Sequence, residues 1–213
     1  MTVIAIDGPA GAGKSTVARA VARRLGLVRL DTGAMYRAVT LLALRTGSDP
    51  GDAARVAELA SGMVLSLDGD AVVLDGEDVT SAIRSPAVDA VVSTVAAIPA
   101  VRAELVRRQR EWVAERGGAV VEGRDIGSVV FPEAEVKVYL DAHPEERARR
   151  RRSQLGLAEE GDGLVSTAAR LSARDSLDAG RAVSPLAVAE GAIVVDSTHL
   201  SVDDVVEEVL RCL

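Results

Sequence analysis

One stretch constrains this chain more than any other. Gly8-Pro-Ala-Gly-Ala-Gly-Lys-Ser15 fits the spacing G-x-x-x-x-G-K-[ST] at every fixed position. Its glycines, Gly8, Gly11 and Gly13, let the backbone turn tightly, so that successive N–H groups can converge on one small volume. Lys14 adds a mobile positive charge, and Ser15 offers a hydroxyl to a hydrated Mg²⁺. Ahead of the loop, Val3-Ile-Ala-Ile6 is the short apolar run of a buried parallel strand. Behind it, Thr16 to Leu25 reads as a helix, whose N-terminus adds partial positive charge at the same spot. Strand, loop and helix in that order separate a phosphate cradle from a chance Gly-rich turn. Gly8, Pro9, Ala10, Gly11, Ala12, Gly13, Lys14, Ser15 and Thr16 are therefore expected to hold the phosphates of a nucleoside triphosphate.

The rest of the chain repeats the alternation that the loop begins. Leu27 to Leu30, Ala119 to Glu122, Val136 to Leu140 and Ala192 to Val195 read as further strands. Helical patterns stand between them at about 34–45, 53–60, 99–116, 145–155 and 164–177, and the last, 202–210, is capped by Ser201. Five strands interleaved with helices predict an α/β fold, a doubly wound parallel sheet with helices on both faces. Ligands in such sheets sit at the C-terminal strand ends, which here are Asp7, Asp31, Glu122-Gly-Arg-Asp125, Asp141 and Asp196. Met63 to Leu67 and Ala71 to Leu74 break the alternation: around Asp68-Gly-Asp70 they read as an antiparallel hairpin. The expectation is a single domain of 213 residues with a core at 1–62, 98–146 and 178–213, an inserted subdomain at about 63–97, and a segment at about 147–177 between core elements.

Composition narrows the function classes. Aromatics make up 2% of the chain, so its core must be built from Val, Ala and Leu. A net charge of −7 argues against broad nucleic-acid or anionic-membrane binding, both of which need a positive face. No run approaches the length of about 18 apolar residues that a membrane span needs. Cys212 is the only cysteine, which excludes an intrachain disulfide. With no charged leader ahead of the first strand, these features point to the cytoplasm. The chain has no asparagine, so a guanine-reading Asn-Lys-x-Asp of the GTPase type is impossible.

Four polar clusters beyond the loop fall where such a fold puts its ligands. They are Asp31-Thr-Gly-Ala-Met-Tyr-Arg37, in which Thr32 is placed to cap a helix; Ser93 with Arg102; Glu122-Gly-Arg-Asp-Ile-Gly127; and Arg174 with Asp178 and Arg181. Each has a plainer reading: a helix cap and a solvated arginine, surface residues, an Arg124–Asp125 pair, and an i,i+4 pair of Arg174 with Asp178.

Taken together, Asp7 to Ser15, Leu30-Asp-Thr-Gly-Ala-Met-Tyr-Arg37, Glu122-Gly-Arg-Asp-Ile-Gly-Ser-Val-Val-Phe-Pro132 and Arg174-Asp-Ser-Leu-Asp-Ala-Gly-Arg-Ala-Val-Ser-Pro-Leu186 resemble the bacterial cytidylate kinases over essentially the whole chain. The resemblance implies a nucleoside monophosphate kinase with an enlarged monophosphate-binding subdomain, using ATP with Mg²⁺ to phosphorylate CMP and dCMP. It implies that Ser93, Arg102 and Asp125 read the base, and that Arg37, Arg124 and Arg181 hold the CMP phosphate. Arg174 and Asp178 then contact the ribose, and Thr32 the phosphate region. The arginines of 147–152 and the Gly-rich acidic loop to Gly163 resemble a lid over ATP. In that lid, Arg147 and Arg151, on one helix face, are expected at the transferred phosphoryl group, beside Lys14, Arg124 and Arg181. The resemblance also implies a monomer.

Overall fold

The computed structural model describes residues 1–157, 162–181 and 183–213. Most of the acidic stretch inside the Gly156–Gly163 loop, Gly161 included, lies outside the described residues, as does Ala182. In chain order the elements begin with β1 (Thr2–Asp7), α1 (Lys14–Leu25), β2 (Val28–Asp31), α2 (Thr32–Arg45) and α3 (Ala53–Gly62). Three short strands follow, β3 (Leu65–Asp68), β4 (Ala71–Leu74) and β5 (Glu77–Asp78), then a 3-10 turn at Ala82–Arg84, α4 (Pro86–Ala96) and α5 (Pro99–Glu115). The chain closes with β6 (Gly118–Glu122), a π-helical turn at Ile126–Val130, β7 (Val136–Asp141), α6 (Pro144–Gln154), α7 (Asp162–Ala179), β8 (Ile193–Asp196) and α8 (Val202–Leu210).

Two compact units divide these elements: Met1–Arg29 with Gly117–Leu213, and Leu30–Arg116. The large sheet has the order β2-β6-β1-β7-β8, with β1 parallel to β6 and β7, and β7 parallel to β8. Alternation along the strands sets the faces. Ile4 and Ile6 of β1 and Val136, Val138 and Leu140 of β7 bury against Val17, Ala18, Val21 and Ala22 of α1 and Val205, Val206 and Val209 of α8. Each of the Val, Leu and Ile side chains contributes about 1.5–3 kcal/mol when fully buried. With no buried aromatic in this cluster, packing rests on many small contacts, as the composition requires. The capping box of Ser201 and Asp204 fixes the start of α8.

In the second unit the expected hairpin forms, with Leu65 paired to Leu74 and Asp68 to Ala71, and β5 adds a third strand. Helices α2 and α4 pack together, as do α3 and α5. Prolines at the first turn start α4, α5 and α6, where a missing N–H costs nothing. One local reading changes: the cap of α2 is Asp31, whose Oδ1 accepts from Ala34 N–H at 3.1 Å, while Thr32 is the first helical residue and is buried. Among the described residues no helix is long and apolar enough to cross a membrane.

Candidate active site

The phosphate loop is shaped by what it presses against. Gly8 has φ 143°, and a Cβ there would meet the carbonyl oxygen of Leu140 in β7 at 2.0 Å. Gly11 has φ 80°, and its Cβ would meet the carbonyl oxygen of Arg147 in α6 at 2.7 Å. Both the backbone angle and the space therefore demand glycine. Gly13 stands at the N-cap of α1 and has no side chain to cap it. Lys14 Nζ donates to Pro9 O at 2.7 Å. Burial, reinforced by the charge of Arg124, lowers its pKa to about 7.

Ser15 donates its hydroxyl to Glu122 Oε2 at 2.7 Å. Glu122 Oε1 in turn takes Arg29 Nη1 at 2.5 Å, in an ion pair almost wholly buried. The Ser15 proton is thus directed at Glu122 and its lone pairs are turned elsewhere. Hydroxyl and carboxylate oxygens suit a hard cation. Among the described residues no cluster of three His, Cys, Asp or Glu side chains could hold a metal alone. That donor set fits Mg²⁺, which takes most of its ligands from phosphates and water.

Two arginines of α6 brace the loop from the other side. Arg147 is buried; its Nε donates to Ala142 O at 3.1 Å, and its Nη1 to Ala10 O at 3.2 Å and to Asp175 Oδ2. Arg150 bonds Ser197 Oγ at 2.9 Å and Ser197 O at 2.7 Å, and the Ser197 hydroxyl lies 3.1 Å from Ala12 O. The helix therefore turns Arg147 and Arg150 to the loop. Arg151, expected to share the face of Arg147, reaches Gln154 Oε1 at 3.5 Å.

The segment after β6 ties loop to helix. Arg124 Nη1 donates to Gly8 O at 2.6 Å, and its Nε lies 2.9 Å from Asp178 Oδ2. Asp178, on α7, is 1% exposed and also pairs with Arg181. Arg174 stands one helical turn before it. Asp7, at the end of β1, accepts from Ile126 N–H and Gly127 N–H, both at 2.8 Å. Burial outweighs these bonds and raises its pKa to about 6. Asp125, itself buried, opens the π-helical turn, and its carbonyl accepts from Val129 N–H at 2.9 Å.

The second unit holds the remaining expected residues. Arg37 donates to Ile83 O at 3.1 Å and pairs with Asp89 Oδ1 at 2.5 Å. Ser93 follows Asp89 by one turn of α4. Arg102 of α5 is 3% exposed, donates to Ala96 O at 3.1 Å, and lies over the Tyr36 ring at 5.3 Å. Arg84 approaches the capping Asp31 at 3.4 Å.

Comparison with known proteins decides what this constellation belongs to. The family model for cytidylate kinase matches residues 4–213. A cytidylate kinase of Solibacter usitatus (strain Ellin6076) is 50% identical over 211 residues, covering 98% of this chain and 90% of that protein. The chain belongs to the cytidylate kinase family. A family protein of Mycobacterium leprae (strain Br4923), also a cytidylate kinase, is 50% identical over 208 residues, 98% of this chain and 93% of that one. A gluconokinase from Sinorhizobium meliloti 1021 shares the fold, with a TM-score of 0.50 at 15% identity over 99% of this chain and 90% of its own. Membership of the cytidylate kinase family makes the protein an enzyme, a nucleoside monophosphate kinase.

Within this kinase Lys14 and Ser15 stand on the phosphate loop, Arg124 joins that loop to Asp178, which also pairs with Arg181, and Asp175 joins the loop to Arg147. Residues with no binding role expected from the sequence also hold these parts in place: Asp7, Arg29, Glu122, Arg150 and Asp175 in the first unit, and Asp89, the partner of Arg37, in the second. Asp7 and Glu122 carried a signal as polar residues at strand ends. Asp175 lies inside the Arg174–Leu186 stretch. Arg29 carried none, because nothing local in a strand says that an arginine will bury against a carboxylate 93 positions away.

Proposed function

We propose that the enzyme transfers the γ-phosphoryl group of ATP to CMP and dCMP, giving ADP and CDP or dCDP, within pyrimidine nucleotide metabolism, as a cytoplasmic monomer. One observation carries the reading furthest. Arg124 bonds Gly8 O of the phosphate loop with one edge and Asp178 with another. A donor-binding loop and residues suited to an acceptor nucleotide thus share a single guanidinium in the first unit.

The loop amides, Lys14 and the N-terminus of α1 bind the ATP phosphates. Arg37, Arg124 and Arg181 are assigned to the CMP phosphate, each able to bind it by charge-assisted bonds. Asp125 accepts from cytosine N4, and Arg102 donates to N3 and O2, with Ser93 as a further polar contact. Uracil reverses the pattern at positions 3 and 4 and leaves buried groups opposed, which is strongly discriminating. Asp178 and Arg174 serve the ribose hydroxyls, and Thr32 the phosphate region. Ser15 is the protein ligand for Mg²⁺, which when bound neutralises phosphate charge. The chain's own part is alignment and positive charge around the moving phosphoryl group. Arg147 supplies some of that charge, with Arg151 a further candidate. The acceptor phosphate is already anionic, so no catalytic base is needed. The segment 147–177 serves as the lid, and its closure excludes water and spares ATP from hydrolysis.

The test is an acceptor panel of CMP, dCMP, UMP, AMP and shikimate with ATP as donor, followed by coupled ADP release. Turnover of CMP and dCMP well above the others is expected. Equal turnover of CMP and UMP would sink the cytosine assignment. Asp125→Ala should lower the CMP/UMP ratio by at least tenfold while the KM for ATP stays within about threefold.

A further inference from the structure

Asp175 is charged, three-quarters of the way along α7, and no role in the transfer has been given to it. Its Oδ1 accepts from the backbone N–H of Ala10 in the phosphate loop at 3.1 Å. Its Oδ2 takes Nη1 of Arg147, and Oδ1 lies 3.8 Å from Nη1 of Arg124. One carboxylate therefore meets the loop and two of the arginines assigned to phosphate. It is mostly withdrawn from solvent, with 14% of its side-chain surface exposed.

The effect on Arg147 follows from the shape of a guanidinium. An arginine stem carries many rotamers, and its planar head becomes useful only when something fixes the plane. Here Nε is held by Ala142 O, and Nη1 is held jointly by Ala10 O and Asp175. Those bonds fix the plane from one side. The remaining nitrogen, Nη2, meets no acceptor among the described residues, so its two N–H groups remain for a phosphoryl oxygen. Ala10 O and Ala142 O are neutral acceptors. Among the described residues, Asp175 is the only charged group that holds Arg147. The carboxylate also ties this arginine, through Ala10, to the loop that cradles the donor phosphates.

We propose that Asp175 is a positioning residue for phosphoryl transfer: it locks the Arg147 guanidinium against the phosphate loop, so that Nη2 meets the group in flight. The proposal rests on the phosphotransfer reading above and adds a residue to it. A role confined to alignment in the transition state affects kcat more than KM. A residue that acts through Arg147 must also be silent once Arg147 is gone.

The experiment is a double-mutant cycle of Asp175→Asn and Arg147→Ala. Each enzyme is first checked for wild-type circular dichroism and a melting temperature within a few degrees of wild type. Asp175→Asn keeps the size of the side chain and an acceptor for Ala10 N–H, but it loses the charge that holds Arg147. Its kcat is expected to fall 30- to 100-fold, with KM for ATP and CMP within about threefold. In the Arg147→Ala background the same substitution should change kcat by less than threefold. Asp175→Glu restores the charge and should recover part of the rate.

Two results overturn the proposal. One is a folded Asp175→Asn enzyme with wild-type kcat; the other is a loss of kcat that multiplies with that of Arg147→Ala. The cycle is run with whichever acceptor the wild type turns over best in the panel. A failure of the CMP assignment thus appears in the wild type, and a failure of the Asp175 assignment appears only in the cycle.

Discussion

Lys14 shows what burial does to a cation whose task is to hold phosphate. Its ammonium donates to Pro9 O, and burial, aided by the positive field of Arg124, brings its pKa from 10.5 to about 7. Near neutrality the free enzyme therefore carries this lysine only partly charged. A bound triphosphate favours the charged form, so its pKa rises on binding and a proton is taken up. ATP affinity should then fall as pH rises above about 7, by at most about tenfold per pH unit. Titration calorimetry at pH 7.5 in two buffers of different ionisation enthalpy should give different apparent enthalpies. The difference should vanish in Lys14→Arg, and identical enthalpies in the wild type would refute the uptake. Asp7 carries the opposite sign. Burial raises its pKa from 3.8 to about 6, so the folded state binds a proton between those values that the unfolded chain does not. Its cost to stability is present above pH 6 and is relieved as pH falls toward 4. The stability difference between wild type and Asp7→Asn should therefore slope by up to about 1.4 kcal/mol per pH unit across that window. Urea midpoints at pH 4.5, 5.5 and 6.5 measure it, and a flat difference would contradict the assignment.

Elements were legible where a local rule fixes them. The prolines that open α4, α5 and α6, the box that caps α8 and the apolar runs of the parallel strands are signals within a few residues. The cap of α2 went to Asp31 instead of Thr32, because either residue can cap and the choice depends on where the strand before it ends. The π-helical turn at Ile126–Val130 has no periodicity to betray it: Asp7, far away in sequence, supplies the acceptors for its first two N–H groups. Arg150 of α6 escaped notice for a similar reason. An i,i+4 rule pairs Arg147 with Arg151, but the loop carbonyls at Ala10 and Ala12 and the Ser197 hydroxyl receive Arg147 and Arg150. That packing of α6 on the loop makes a prediction at the same scale. Gly11→Ala puts a methyl 2.7 Å from the Arg147 carbonyl at φ 80°, so either the loop or the helix must shift. Strain of about 1–3 kcal/mol is expected, with the KM for ATP raised at least tenfold. Gly26→Ala, also at positive φ but with open space around it, should lose stability with an unchanged KM. Equal kinetic effects from the two substitutions would show that backbone angle alone, and not the loop–helix contact, matters.

At the scale of the whole molecule, the doubly wound sheet was readable because strand, loop and helix recur with the same texture. The extent of the second unit was not. The hairpin at 65–74 announced an insertion, but the compact unit runs over Leu30–Arg116 and takes in α2, α3, α4 and α5. An amphipathic period says that a helix packs and not which core it packs on, so α2, α3 and α5 read as helices of the main sheet. The division bears on how the two substrates stabilise the enzyme. The loop, Lys14 and Ser15 belong to the first unit, and Arg37, Ser93 and Arg102 to the second. A ligand that binds only the native state at about 100 times its Kd contributes about 2.7 kcal/mol, which for a chain of this size raises the melting temperature by roughly 5–10 °C. MgATP and CMP, each added alone, should both produce such a shift in thermal melts, and UMP should produce little. Lys14→Ala should lose most of the MgATP shift and keep that of CMP. Arg37→Ala should do the reverse, because its guanidinium lies in the other unit and its assigned phosphate is the acceptor's. If either substitution erased both shifts equally in a folded protein, donor and acceptor binding would have to be assigned to one shared set of residues.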